Sequence, residues 1–231
     1  MTGVVAPVES TSQMQAMNRW RFNPLGEAAL LATCAETDMD AANRAALALA
    51  DAITRAGLLG LGAVVPAIDS VLVSFDPLRV ARAEVEESLR ALTTIPPEAE
   101  SSGRVIVIEA RFGGEDGPDL AELAAAQGCA PDALISALCA RPYRVLMIGF
   151  APGYPYIGPL PALLTVPRRA TPRAAVPAGS VAIAAGMAGI YPARLPGGWH
   201  LIGRTTAKLF DPARPEPSLL RAGDFAQFKP I

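Results

Sequence analysis

The segment GFAPGYPYIGPLPALLTVPRRATPRAAVPAGS, residues 149–180, constrains the fold more than any other part of this chain. Nine of the chain's 22 prolines fall between residues 149 and 199, threaded with Phe, Tyr, Ile, Leu and Val rather than with the small polar residues of a linker. Proline fixes φ and glycine reaches conformations closed to other residues, so GFAPGYPYIG reads as a rigid, re-entrant loop. The loop is expected to expose Tyr154 and Tyr156 without an ordering cost on binding. Behind it stand Arg168, Arg169 and Arg173, cations that do not deprotonate and that suit two-point recognition of carboxylate or phosphate. The segment reads as folded and as built around something anionic.

The flanking sequence says what kind of body holds it. From Val176 onward, short β-branched runs (SVAIAAG, GIYPARL, WHLIGRT, DFAQFKPI) alternate with Pro-Gly punctuation, the rhythm of an all-β barrel or sandwich. Upstream, RVIVIEARF is a strand, GPDLAELAAAQG and APDALISALCA are short helices each opened by a Pro-Asp pair, and YRVLMIGF is a buried strand. The first half differs. RWRF and EAALLATC read as strands, and Thr37-Asp38-Met39-Asp40 has the capping-box spacing ahead of Ala42, Ala45, Leu49, Ile53 and Ala56, a helical stripe that Gly57 stops. GAVVPAIDSVLVSF supplies two more strands, and Asp76-Pro77 is expected to cap a helix bearing Val85, Leu89 and Leu92. This ββαββα order predicts a small α+β sandwich. The expected organisation is a flexible leader over 1–17, an α+β domain over 18–93, a linker over 94–103 and an all-β domain over 104–231.

Composition removes several chemistries. Acidic residues outnumber basic ones, 22 to 20, which argues against a nucleic-acid surface. The single histidine, His200, excludes a His-rich or Cys/His metal site, and no G-x-S-x-G elbow accompanies it for a serine triad. No G-x-x-x-x-G-K-[ST] phosphate loop is present. Three cysteines without metal-like spacing fit a reducing, cytoplasmic setting, no apolar run is long enough to span a bilayer, and no signal peptide is expected. The candidate residues also have plainer readings. The arginines can be solvated surface charges, Tyr154, Tyr156 and Tyr191 barrel aromatics, and Trp199 core. Trp199 and His200 alternate along a strand, so one of them is expected to face solvent.

The run GFAPGYPYIGPL…TVPRRATPRAAVPAGSVAIAAG…GIYPARLPGGWHLIGRTTAKLFDP resembles the family known as allophanate hydrolase subunit 1 or the KipI family, the B-type subunits of 5-oxoprolinase. LGEAALLATC, VVPAIDSVLVSFDPL, GEDGPDLAEL and LLRAGDFAQFKPI extend the resemblance over residues 18–231. It implies an α+β N-terminal domain followed by a cyclophilin-like β-barrel. It further implies a non-autonomous enzyme component that works with a C-type and an A-type subunit to open 5-oxoproline to glutamate, using ATP, with magnesium, at the level of the complex. On that footing Arg168, Arg173 and Arg204 are the candidate catalytic cations. Gly153 and Gly179 would offer backbone N–H groups, Tyr154 and Tyr191 would orient the ring, and Arg169 and Trp199 would complete the substrate site. The scaffold also serves carboxyl transfer in biotin-dependent urea carboxylase and, in one relative, inhibition of a histidine kinase; prolyl isomerisation rests on fold analogy alone. The chain departs from the family pattern where Met187 and Ala188 replace a polar pair, and where Leu138 is the nearest counterpart of a common histidine.

Overall fold

A computed structural model of the chain describes residues 19–94 and 103–231. The expected leader and most of the expected linker lie outside the described residues. The described residues fall into two compact units, divided between Glu100 and Ser101.

The first unit is the α+β body: β1 (Trp20–Pro24), β2 (Ala29–Cys34), α1 (Met39–Ala56), β3 (Leu61–Pro66), β4 (Ser70–Phe75) and α2 (Arg82–Leu92). Its antiparallel sheet runs β1-β2-β4-β3. Burial alternates strictly along β2 and β4, so one sheet face carries Leu30, Ala32, Val71, Val73 and Phe75 into the core. From α1, Ala45, Ala46, Leu49 and Ile53 meet that face, and from α2, Val85 and Leu89. Asp38 caps α1 by accepting the Ala41 N–H at 2.7 Å, and Gly57 ends it in the left-handed conformation (φ 57°). The second helix starts later than the sequence predicts. Asp76 closes its own turn, accepting the Leu78 N–H at 3.0 Å, and α2 begins only after Ala81.

The second unit contains β5 (Val105–Phe112), α3 (Leu120–Ala126), α4 (Pro131–Cys139), β6 (Tyr143–Ile148), β7 (Pro155–Gly158), a 3-10 turn (Ala162–Leu164), β8 (Arg173–Val176), β9 (Ser180–Ala184), β10 (Met187–Ile190), β11 (Leu195–Gly197), β12 (His200–Arg204) and β13 (Phe225–Pro230). Seven strands close a barrel in the order β10-β7-β6-β13-β5-β12-β9, and β8 pairs with β11 as a separate ribbon. The first and last strands of the unit, β5 and β13, run parallel from Val105↔Phe225 to Ala110↔Pro230. Closure removes the exposed strand edges that an open sheet must otherwise protect. Ile108, Val145, Ile157, Val181, Ile183, Ile190, Ile202 and Phe228 belong to its core. Leu138 on α4 and Ala188 on β10 belong to it as well, both fully buried, and Met187 is buried beside Ala188. The apolar departures from the family pattern are therefore packing residues here. No helix among the described residues is long and apolar enough to cross a membrane.

Candidate functional site

The loop between α3 and the strand before it sets the first feature of the site. Asp119 directly precedes α3 but makes no side-chain cap to it. Its backbone N–H is given to Leu201 O at 3.0 Å, and its carboxylate accepts the Leu201 N–H at 2.7 Å, fastening the start of α3 to β12. The same carboxylate takes both terminal nitrogens of Arg173 (2.9 and 2.7 Å) and one of Arg169 (3.0 Å). Burial pushes the Asp119 carboxyl up, but the Arg173 and Leu201 hydrogen bonds and the two guanidinium charges outweigh it, holding the group below the usual carboxylate range. Two of the three clustered arginines are thus paired to one buried acid.

Arg168 precedes Arg169 directly in sequence and differs from it. It is exposed and forms no ion pair or hydrogen bond among the described residues. Its backbone is nevertheless held from both sides. His200 Nε2 lies 3.0 Å from Pro167 O, and the Arg169 N–H donates to Gly198 O at 2.8 Å. The charge of Arg168 acts on Tyr154, Tyr156 and Tyr191 alike, favouring the ionised form of each.

Those tyrosines form one aromatic cluster with Phe150 and Trp199. Tyr154 is its centre, with ring centroids 5.3 Å from Phe150, 5.2 Å from Tyr156, 5.2 Å from Tyr191 and 6.1 Å from Trp199; Tyr156 and Trp199 are 5.7 Å apart. Most of these contacts are edge-to-face, the arrangement that suits aromatic quadrupoles. Tyr154 and Tyr191 are almost wholly buried, Tyr156 is half-buried, Trp199 is 6% exposed, and Phe150, with φ 65°, is 58% exposed. The expected exposure of Tyr154 is therefore corrected. The residue leading into β7 turns its ring inward against the barrel, and only Phe150 and part of Tyr156 reach solvent. Burial, and then the neighbouring phenols, push Tyr154 far above the ordinary phenol range; burial raises Tyr156 and Tyr191 too. Trp199 proves to be the inward member of its pair, packed on the tyrosines, while His200 is half-buried and ties down the Pro167 carbonyl.

The glycines divide by role. Gly179 (φ 79°) gives its N–H to Tyr191 O at 2.8 Å, so that donor is spent within the fold, and a side chain there would strike Thr205 O. Gly153 (φ 77°) is buried against Phe210 and Leu209, and its N–H has no acceptor among the described residues. Arg204 sits 3.7 Å from Asp116, an acid it shares with Arg111 (3.1 Å), and so belongs to a different ion cluster from Arg169 and Arg173.

Asp119 was the residue that sequence reasoning missed. A Pro-Asp pair before a helix reads as a cap, whereas the partners of this carboxylate lie 50 and 54 residues away. Gly189 and Gly197 were missed as well. A side chain on Gly189 would collide with the Tyr154 hydroxyl, and one on Gly197 with the Tyr191 hydroxyl.

Known proteins share this architecture. Residues 20–220 match the family model described as the carboxyltransferase domain, subdomain C and D. The chain belongs to that family. It is 35% identical over 224 residues to the B-type subunit of 5-oxoprolinase from Bacillus subtilis, covering 91% of this chain and 92% of the relative. The crystal structure of TTHA0988 superposes with a TM-score of 0.77 at 38% identity over 88% of this chain, yet this chain spans only 40% of that protein's length. The Kluyveromyces lactis urea amidolyase shares the fold at 18% identity (TM-score 0.74), over 99% of this chain and 15% of its own.

Proposed function

We propose that the chain is the B-type component of an assembly that opens 5-oxoproline to glutamate using ATP, in company with a C-type and an A-type subunit. The observation that carries this reading is the contrast among the arginines: Arg168 is exposed and unpaired among the described residues, its charge acting on three phenols, while Arg169 and Arg173 are held by Asp119. The identity to a protein named as the B-type subunit of 5-oxoprolinase, across nearly its whole length, supports it.

The chemistry gives the arrangement a purpose. A five-membered lactam is a resonance-stabilised amide next to a carboxylate, and activating its oxygen brings further negative charge to the same place. A site for it needs a cation that never deprotonates, held on a stiff frame beside a surface that keeps water out. In this reading Arg168 takes the substrate carboxylate and the Tyr156–Trp199 face takes the ring. Asp119 keeps Arg169 and Arg173 in place as the wall behind them. A magnesium nucleotide does not fit the donor set of this cluster, because Asp119 is already spent on two guanidiniums and an amide N–H. This cluster is therefore not where we propose that the nucleotide binds.

The test is reconstitution with the A- and C-type partners, reading ADP release that depends on 5-oxoproline. Release only in the three-component mixture is expected; a full assembly indifferent to 5-oxoproline would end the proposal. Carboxyl transfer from a biotin-carrying partner is the second reading, favoured by the carboxyltransferase character of the family. It predicts instead that carboxylated biotin is discharged by the chain and its partner with no response to the lactam.

A further inference from the structure

The function proposed above needs Arg168 in one place, yet among the described residues no group grips its exposed side chain. Residues 165–169 have no regular secondary structure, so their position has to come from individual hydrogen bonds. Among the described residues, three tie the backbone of residues 166–169 to the barrel unit. The Ala185 N–H donates to Val166 O at 2.6 Å, His200 Nε2 lies 3.0 Å from Pro167 O, and the Arg169 N–H donates to Gly198 O at 2.8 Å. The last two flank Arg168 by one residue on either side, and only the His200 contact is made by a side chain. A carbonyl oxygen can only accept, so Nε2 carries the proton in this contact. The chain's single histidine therefore meets this segment as a donor and not as a base. The barrel fixes His200 in turn. It opens β12, faces Ile183 of β9 in the ladder, and is followed by Leu201, whose N–H and carbonyl are both bonded to Asp119. Immediately before it, Trp199 packs on Tyr156 at 5.7 Å. Neighbouring residues at the entry of one strand thus set both the aromatic face and the backbone of the cation.

We propose that His200 is a positioning residue for Arg168: by donating to the Pro167 carbonyl it fixes where the Arg168 backbone stands relative to the Tyr156–Trp199 face. This rests on the functional reading above and adds to it the residue through which the barrel controls the anion contact. His200 acts through Arg168 and transfers no proton. A cation on a loose segment loses affinity to the ordering of that segment on binding, whereas one whose backbone is already held does not. The separation between the charge that takes the carboxylate and the surface that takes the ring is then a property of β12 rather than of the loop.

The test compares His200→Leu and His200→Gln in the reconstituted assembly, each alone and combined with Arg168→Ala, with rates expressed per assembled complex. Leucine keeps bulk at the position and removes the donor, while glutamine offers an amide N–H in place of the imidazole N–H. His200→Leu is expected to lower kcat/KM for 5-oxoproline about tenfold, short of the roughly hundredfold that misplacing a contact by a full ångström can cost. Most of the loss should appear in KM, because the substrate carboxylate is charged in the ground state and the transition state alike. His200→Gln should restore most of the rate. In the Arg168→Ala background, His200→Leu should cause no further loss, a result that a merely structural role would not give. Equal losses in His200→Gln and His200→Leu, or a loss that multiplies with that of Arg168→Ala, would overturn the positioning role. So would a fully active His200→Leu assembly, which leaves the functional reading intact, whereas a wild-type assembly unresponsive to 5-oxoproline would remove both.

Discussion

The two units solve the same burial problem with different materials. In the α+β unit, strict alternation along β2 and β4 meets the apolar stripes of two helices, and its packed cluster is built from aliphatic side chains with Trp20 and Phe75. The barrel unit holds all four tyrosines of the chain, a buried carboxylate shared by two arginines, and glycines that give way to phenol oxygens. A core of the first kind tolerates volume-conserving exchange. A polar network of the second kind must be satisfied throughout or it destabilises the fold. The difference is why we propose the site in the barrel unit, because buried polar groups with fixed geometry are what a site needs and what a plain core avoids.

The comparison can be broken most forcefully at Asp119. Asp119→Ala leaves Arg169 and Arg173 facing each other and removes the acceptor of the Leu201 N–H, a loss of about 3–5 kcal/mol in denaturant unfolding of the barrel. Val73→Ala, which removes only aliphatic volume from a fully buried position in the other unit, should cost about 2 kcal/mol. Next in size is the effect of pH. The Asp119 carboxyl lies below its unfolded value, so the stability it contributes is present above about pH 4 and is lost as pH falls through the folded value. The wild-type minus Asp119→Asn stability difference should be flat from about pH 7 to 5 and shrink below about pH 4. At the alkaline end all four tyrosines are raised, so their absorbance should not change at the ordinary phenol pKa while the barrel is folded. Asp38→Ala is the smallest change, about 1 kcal/mol for a single helix cap.

Legibility in the sequence follows the same division. The ββαββα order, a helix cap within Thr37–Asp40 and the Gly57 stop were readable because each depends on spacing within one or two turns, though only the structure names Asp38 as the cap. The strand rhythm after Val176 pointed to a barrel or sandwich for the same reason. Asp76 misled because an Asx turn and a helix cap use the same residue in the same way over two positions. In the site, the Pro/Gly-stiffened segment and its arginines were visible, but their division into paired and unpaired cations was not. That division is decided by Asp119, whose partners are brought to it only by closure of the barrel. The inward turn of Tyr154 was one of two readings the sequence left open, and what decides it was hidden, since Gly189 and Gly197, the residues that admit the two hydroxyls, look like ordinary turn glycines in a segment full of them.

The claim that Arg168 is the working cation and Arg173 part of the frame is tested most directly by the lactam-dependent ATPase rate of reconstituted assemblies, with the unfolding free energy of each chain measured alongside. Arg168→Ala should lower that rate roughly a hundredfold while leaving stability within about 0.5 kcal/mol of wild type, as for other exposed side chains. Full activity in an assembled Arg168→Ala complex would contradict the account, whatever the fate of Arg173→Ala.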